Sequence, residues 1–100
     1  MLENKDAYIE KMVDNLPVIR KKLRLSQEAL ADIIGMDRSS VARIETGKMK
    51  MSWSIFMLLL LYFDKNEAIS ASLMTFNIYD KTIDDYINLE YKKDTINTDK

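Results

Sequence analysis

A chain of 100 residues in which 47% are hydrophobic fits one domain with its own core. It holds neither cysteine nor histidine. Disulfides, thiolate or zinc sites and a histidine base are therefore excluded, no cofactor or metal is expected, and an intracellular, cytoplasmic setting is the natural reading. The net charge of −1 hides a division along the chain: residues 16–50 carry eight basic against four acidic groups, a surplus of +4, which leaves −5 for the remainder.

The N-terminus is acidic and polar where an export signal needs a basic and then an apolar region. Tyr8, Ile9, Met12 and Val13 recur at helical spacing within Lys5 to Val13. This predicts a short leading helical segment in residues 1–15, which covers the core, assists pairing of two chains or docks loosely as an arm. Asn15-Leu16-Pro17 then predicts a fresh start, since proline suits the first position of a helix. Helix one, Pro17 to Leu23, is expected to project Val18 or Ile19 and Leu23 inward.

Ser26 predicts an N-cap for a second helix from Gln27, with Leu30, Ile33 and Ile34 on its apolar face. Gly35 ends it, because glycine reaches positive φ without a Cβ penalty and turns the chain within about three residues. Asp37 predicts the cap of a third helix, Arg38 to Glu45. At 100° per residue, Val41 and Ile44 share one side of it, while Arg38, Ser39, Ala42 and Arg43 spread over the other. Ala31 is small where two steeply crossed helices come closest. Two helices joined by so tight a turn form a helix-turn-helix, a module that delivers a helix into the DNA major groove.

After Gly47, the stretch Lys48-Met49-Lys50-Met51 leads to Ser52, the predicted cap of a fourth helix from Trp53 to Phe63. That helix is apolar on all sides, so its own chain, a second chain or both must cover it. The nine apolar residues Ile55 to Phe63 fall short of the roughly 20 that span a bilayer, and no membrane partner is expected. Ile69, Leu73 and Phe76 predict one more amphipathic helix, and Ile83, Tyr86, Ile87 with Glu90 or Tyr91 a second. Residues 64–91 thus read as C-terminal helices with a dimerisation role open to them, and residues 92–100 as a disordered, frayed tail. The fold class is all-α: a compact helical bundle around the helix-turn-helix, with additional N- and C-terminal helices.

Leu16 to Phe63 resembles the Xre/Cro-like phage-repressor helix-turn-helix family of bacterial transcription regulators. Arg20, Ser26, Gln27, Ala31, Gly35, Val41, Ile44, Glu45, Gly47 and Lys48 carry the resemblance. Departures are Ala29 where the family favours glutamate, Arg24 where it favours glycine, Thr46 for asparagine and Met51 for proline. The resemblance implies that Arg20 pairs with Glu45 as a fold-holding ion pair, and that removing either would strand the other charge. It also implies that Gln27 clamps a phosphate, which its place at a positive helix N-terminus allows.

Arg43 is the expected base reader, since a guanidinium donates two hydrogen bonds to guanine O6 and N7. Arg38 reads a base or grips the backbone, Ser39 meets a base edge or a phosphate, Ser40 a phosphate, and Ala42 a thymine methyl. Lys48 and Lys50 reach phosphates, or stand as ordinary solvated charge. Together these residues predict a sequence-specific regulator of double-stranded DNA, a repressor by operator occupancy, binding as a homodimer to a palindromic operator. The alternative is an antitoxin or partner-binding module that uses the apolar C-terminal surface. An enzyme is disfavoured by the lack of a glycine-rich phosphate loop and of a carboxylate pair in a cleft. Asp80, Asp84 and Asp85 lack calcium-loop spacing.

Overall fold

The computed structural model describes residues 3–88, so the tail and the Glu90 or Tyr91 end of the last stripe lie outside the described residues. The expected fresh start at Pro17 is absent: a single helix, α1 (Lys5–Lys22), runs through it. Proline inside a helix costs about 3 kcal/mol through a lost hydrogen bond and a ring clash. Against this, α1 buries Tyr8, Ile9, Met12, Leu16 and Ile19 on one stripe, and each such side chain contributes about 1.5–3 kcal/mol when fully buried. A break before Leu16 would turn half of the stripe from the core, so packing outweighs the proline. Asn15 adds a bond in the preceding turn, its side-chain amide donating to the Lys11 carbonyl at 2.8 Å. Of the two candidates for the inward position, Ile19 is buried and Val18 is exposed.

The leading segment is therefore core cover. The Tyr8 ring lies 6.3 Å from that of Phe56, which stacks on Trp53 at 4.8 Å. The Tyr8 hydroxyl donates to both carboxylate oxygens of Asp80, at 2.7 and 2.8 Å. Burial, and then this carboxylate, push the hydroxyl up to about 12, which keeps it a protonated donor.

Next come α2 (Gln27–Ile34), α3 (Arg38–Glu45), α4 (Trp53–Asp64) and α5 (Glu67–Thr75), followed by helical backbone over 81–88, here α6, which reaches the edge of the described residues. Each expected cap is made: Ser26 Oγ accepts from Ala29 N–H at 3.0 Å, Asp37 Oδ1 from Ser40 N–H at 2.8 Å and Ser52 Oγ from Ile55 N–H at 3.1 Å. Asp80 accepts from Ile83 N–H at 3.0 Å and so caps α6. Asp84 takes the Tyr79 hydroxyl at 2.6 Å and Asp85 pairs with Lys81, so these three acids serve the C-terminal fold.

The core gathers between α1, the α2–α3 corner and α4, with Ile69, Leu73, Ile78 and Ile83 closing it from the C-terminal side. Met51, standing where the family favours proline, is itself buried and plugs the core beneath the loop before α4. On α4, Phe56, Leu59, Leu60 and Phe63 are buried, while Leu58, Leu61 and Tyr62 remain 42–44% exposed along the opposite strip. No helix among the described residues is long and apolar enough to cross a membrane.

Four turns close on left-handed residues: Arg24 (φ 56), Gly35 (φ 71), Gly47 (φ 79) and Asn77 (φ 59). Arg24 thus keeps the conformation that glycine serves in the family, at the cost a Cβ brings there. At Gly35 an added Cβ meets nothing within 4 Å, so a substitution is opposed by the backbone alone. Gly35→Ala is expected to cost about 1 kcal/mol net, strain minus the smaller entropy of its unfolded chain, and Arg24→Gly to gain up to about 1 kcal/mol. Urea midpoints that move the other way, or not at all, would contradict this account of the turns.

Candidate nucleic-acid interface

The corner between α2 and α3 is built locally. Gly35 and Met36 both send their N–H groups to the Ala31 carbonyl, which closes α2 in a tight αL turn. Ala31 is buried, and its small side chain lets the two helices cross closely. Asp37 is held below the usual carboxylate range, first by the Ser40 backbone N–H and then by the Ser40 and Ser39 side chains. Its ionised carboxylate complements the positive end of α3.

α3 buries Val41 and Ile44 and leaves Arg38, Ser39 and Arg43 exposed, with Ser40 and Ala42 half-buried at the flanks. The Ser39 hydroxyl donates to Asp37 Oδ1 at 2.9 Å, so its hydrogen is engaged while its lone pairs stay free. The helix ends in a Schellman turn: Gly47 N–H bonds to the Ile44 carbonyl at 3.1 Å and Lys48 N–H to the Arg43 carbonyl at 2.8 Å. That turn fixes where the Lys48–Lys50 loop leaves α3. Both lysines are exposed.

Behind α3, Glu45 is the hub of a polar cluster. Arg20 Nε donates to Glu45 Oε2 at 2.9 Å, Arg20 Nη2 to Oε1 at 3.2 Å, and Arg20 Nη1 to the Leu25 carbonyl at 3.1 Å. The side chains are 14% and 5% exposed, so the Arg20 guanidinium is turned to α3 and largely covered. Gln27 joins the cluster, its Nε2 donating to Glu45 Oε1 at 3.0 Å. The amide through which Gln27 is expected to clamp a phosphate thus already uses one of its two hydrogens to hold α2 to α3, and the other remains.

Lys50 has a neighbour that neither expectation named. Its Nζ stands 3.5 Å from Asp6 Oδ1 on α1, a pair exposed on both sides. Nothing at Lys50 announced this partner. The acidic spacing of Asp6, Glu10 and Asp14, which puts three carboxylates on one helix face, is a signal that the leading segment had a charged role as well as an apolar one. Among the described residues, no group of three or more His, Cys, Asp or Glu side chains gathers to hold a metal.

A helix-turn-helix family model matches residues 19–66, from the second half of α1 to just past α4. Comparisons with curated proteins and with solved structures find no match. Through this match and the corner, cluster and uncovered α3 face it contains, residues 19–66 form a helix-turn-helix domain of the Xre/Cro-like family, the DNA-binding domain of transcription regulators.

Proposed function

We propose that the chain is a repressor that acts by occupying a two-fold operator as a homodimer. The observation that carries the reading is the split of α3: Val41 and Ile44 lock it to the scaffold, while Arg38, Ser39 and Arg43 face solvent. In this reading Arg43 donates to a guanine edge and Arg38 to a base or the backbone. Ala42 touches a thymine methyl, and Ser39 accepts at a base edge through its free lone pairs or, released from Asp37, donates to a phosphate. Ser40, Lys48, Lys50 and the free amide hydrogen of Gln27 position the phosphates, the last at the N-terminus of α2 where partial positive charge collects. Arg20 and Glu45 hold the corner and touch no DNA.

Pairing is supported by the strip of Leu58, Leu61 and Tyr62 and by Met74, which is 66% exposed. A second copy covers such a strip at no polar cost, and a two-fold pair doubles the few contacts one module can make. Selection from random duplexes by the purified chain tests both parts at once. The expected outcome is a palindromic site whose half-sites lie about 34 Å apart or a multiple of it. Failure to enrich any sequence, or sedimentation as a monomer on DNA, sinks the repressor dimer. The same apolar strip favours a second reading, a module that holds another protein; a stable one-to-one complex with an unrelated chain together with unselective DNA binding would replace the first.

A further inference from the structure

Asp6, Glu10 and Asp14 are exposed and lie within 80° of one another around α1, at spacing i, i+4, i+8. They line one wall of a groove whose other wall carries Lys48 and Lys50. The groove thus sets three carboxylates of the N-terminal helix against the two loop ammonium groups offered to phosphates, with Lys50 already 3.5 Å from Asp6. We infer that this acidic ridge is a specificity determinant: it depresses sequence-independent DNA binding through the Lys48–Lys50 loop. The inference rests on the DNA reading of that loop.

The fold gains little from the ridge. An ion pair this open to water contributes almost nothing to stability, and three like charges one turn apart repel. Its effect falls on an approaching polyanion. A phosphate that reaches Lys50 must displace or accept the Asp6 carboxylate, and one that reaches Lys48 enters the groove that the other two also line, where charges at moderate salt are felt over about 8–10 Å. Sequence-independent binding draws nearly all its affinity from such contacts, whereas binding at a matched site adds base contacts from α3 on the far side of the helix from the core. Modes that lean on the loop alone are therefore penalised most.

The test is binding of the full chain to a random-sequence 20-base-pair duplex, followed by fluorescence anisotropy from 50 to 200 mM NaCl. D6N/E10Q/D14N is compared with D64N/E67Q/D85N, which changes the net charge equally but at the opposite end of α4 and on α5 and α6. The ridge variant is expected to bind at least about threefold more tightly than wild type at 50 mM, with the slope of log K against log salt steeper by about 0.9 for each additional phosphate neutralised. The distal variant is expected to shift much less. E10Q/D14N keeps the acid of α1's first turn and should move the same way by a smaller factor, which preserves the test if the triple variant loosens the helix. Equal shifts in the two triple variants would reduce the effect to net charge and overturn the proposal, as would no shift in either. If folded wild type and variants all ignore the duplex, the DNA reading of the loop itself has failed.

Discussion

Glu45→Ala is expected to lower the unfolding free energy by about 3–5 kcal/mol, a large share of the 5–15 kcal/mol that a domain commonly has. Glu45 accepts three hydrogen bonds, two from Arg20 and one from Gln27, in a site where its side chain is 5% exposed. Removing it leaves a guanidinium with only the Leu25 carbonyl, and most of the loss is the cost of that uncompensated charge. Removing both partners should accordingly hurt less than the sum of the single changes. In a double-mutant cycle, Arg20→Met with Glu45→Ala is expected to recover part of the single-mutant loss, because a buried pair gains little over apolar side chains of similar volume. Urea denaturation reads all four corners. A Glu45→Ala loss below about 1 kcal/mol would mean that water reaches the cluster. The consequence for DNA is indirect: Arg20 lies on α1, Gln27 on α2 and Glu45 on α3, so the cluster sets the angle at which α3 leaves the scaffold.

How much of the fold and site is legible in the residues alone follows from the range over which each feature is decided. Caps are decided within three residues, and Ser26, Asp37 and Ser52 each accept the expected backbone N–H. Gly35 is equally local. The face of α3 follows from the 100° step alone, so Val41 and Ile44 are readable as the packed side. Pro17 misleads because its local preference opposes a tertiary gain: the stripe from Tyr8 to Ile19 exists only once α4 lies against it. The Asp6–Lys50 approach is invisible for a related reason, since it depends on that same unbroken α1 reaching past the loop after α3. The apolar excess of α4 foretells that something must cover it. Only the structure shows that its own chain takes one side and leaves Leu58, Leu61 and Tyr62 outside.

Arg43→Ala is expected to cost about 1–3 kcal/mol on the selected operator and to relax preference at one base pair, whereas Lys48→Ala weakens matched and mismatched duplexes alike. The two side chains leave neighbouring points of the backbone, since Lys48 N–H bonds to the Arg43 carbonyl itself. They nevertheless leave in different settings. Arg43 projects from the last turn of α3, on the side opposite Val41 and Ile44, the side that faces the groove in the proposed mode of binding. Lys48 follows the Schellman turn and sits on the loop that passes outside it. A planar guanidinium offers paired donors that discriminate guanine, while an ammonium is a point charge that accepts any phosphate. The salt dependence separates the roles further: loss of Lys48 should flatten the slope of log K against log salt by about 0.9, the value of one neutralised phosphate. Arg43→Lys retains the charge and is expected to keep the salt slope while losing selectivity. Anisotropy on a matched and a mismatched duplex at three salt concentrations decides between them. If Arg43→Ala weakens both duplexes equally, Arg43 grips the backbone and the reading falls to Arg38, five residues earlier and about 140° around α3, at the other edge of its exposed face.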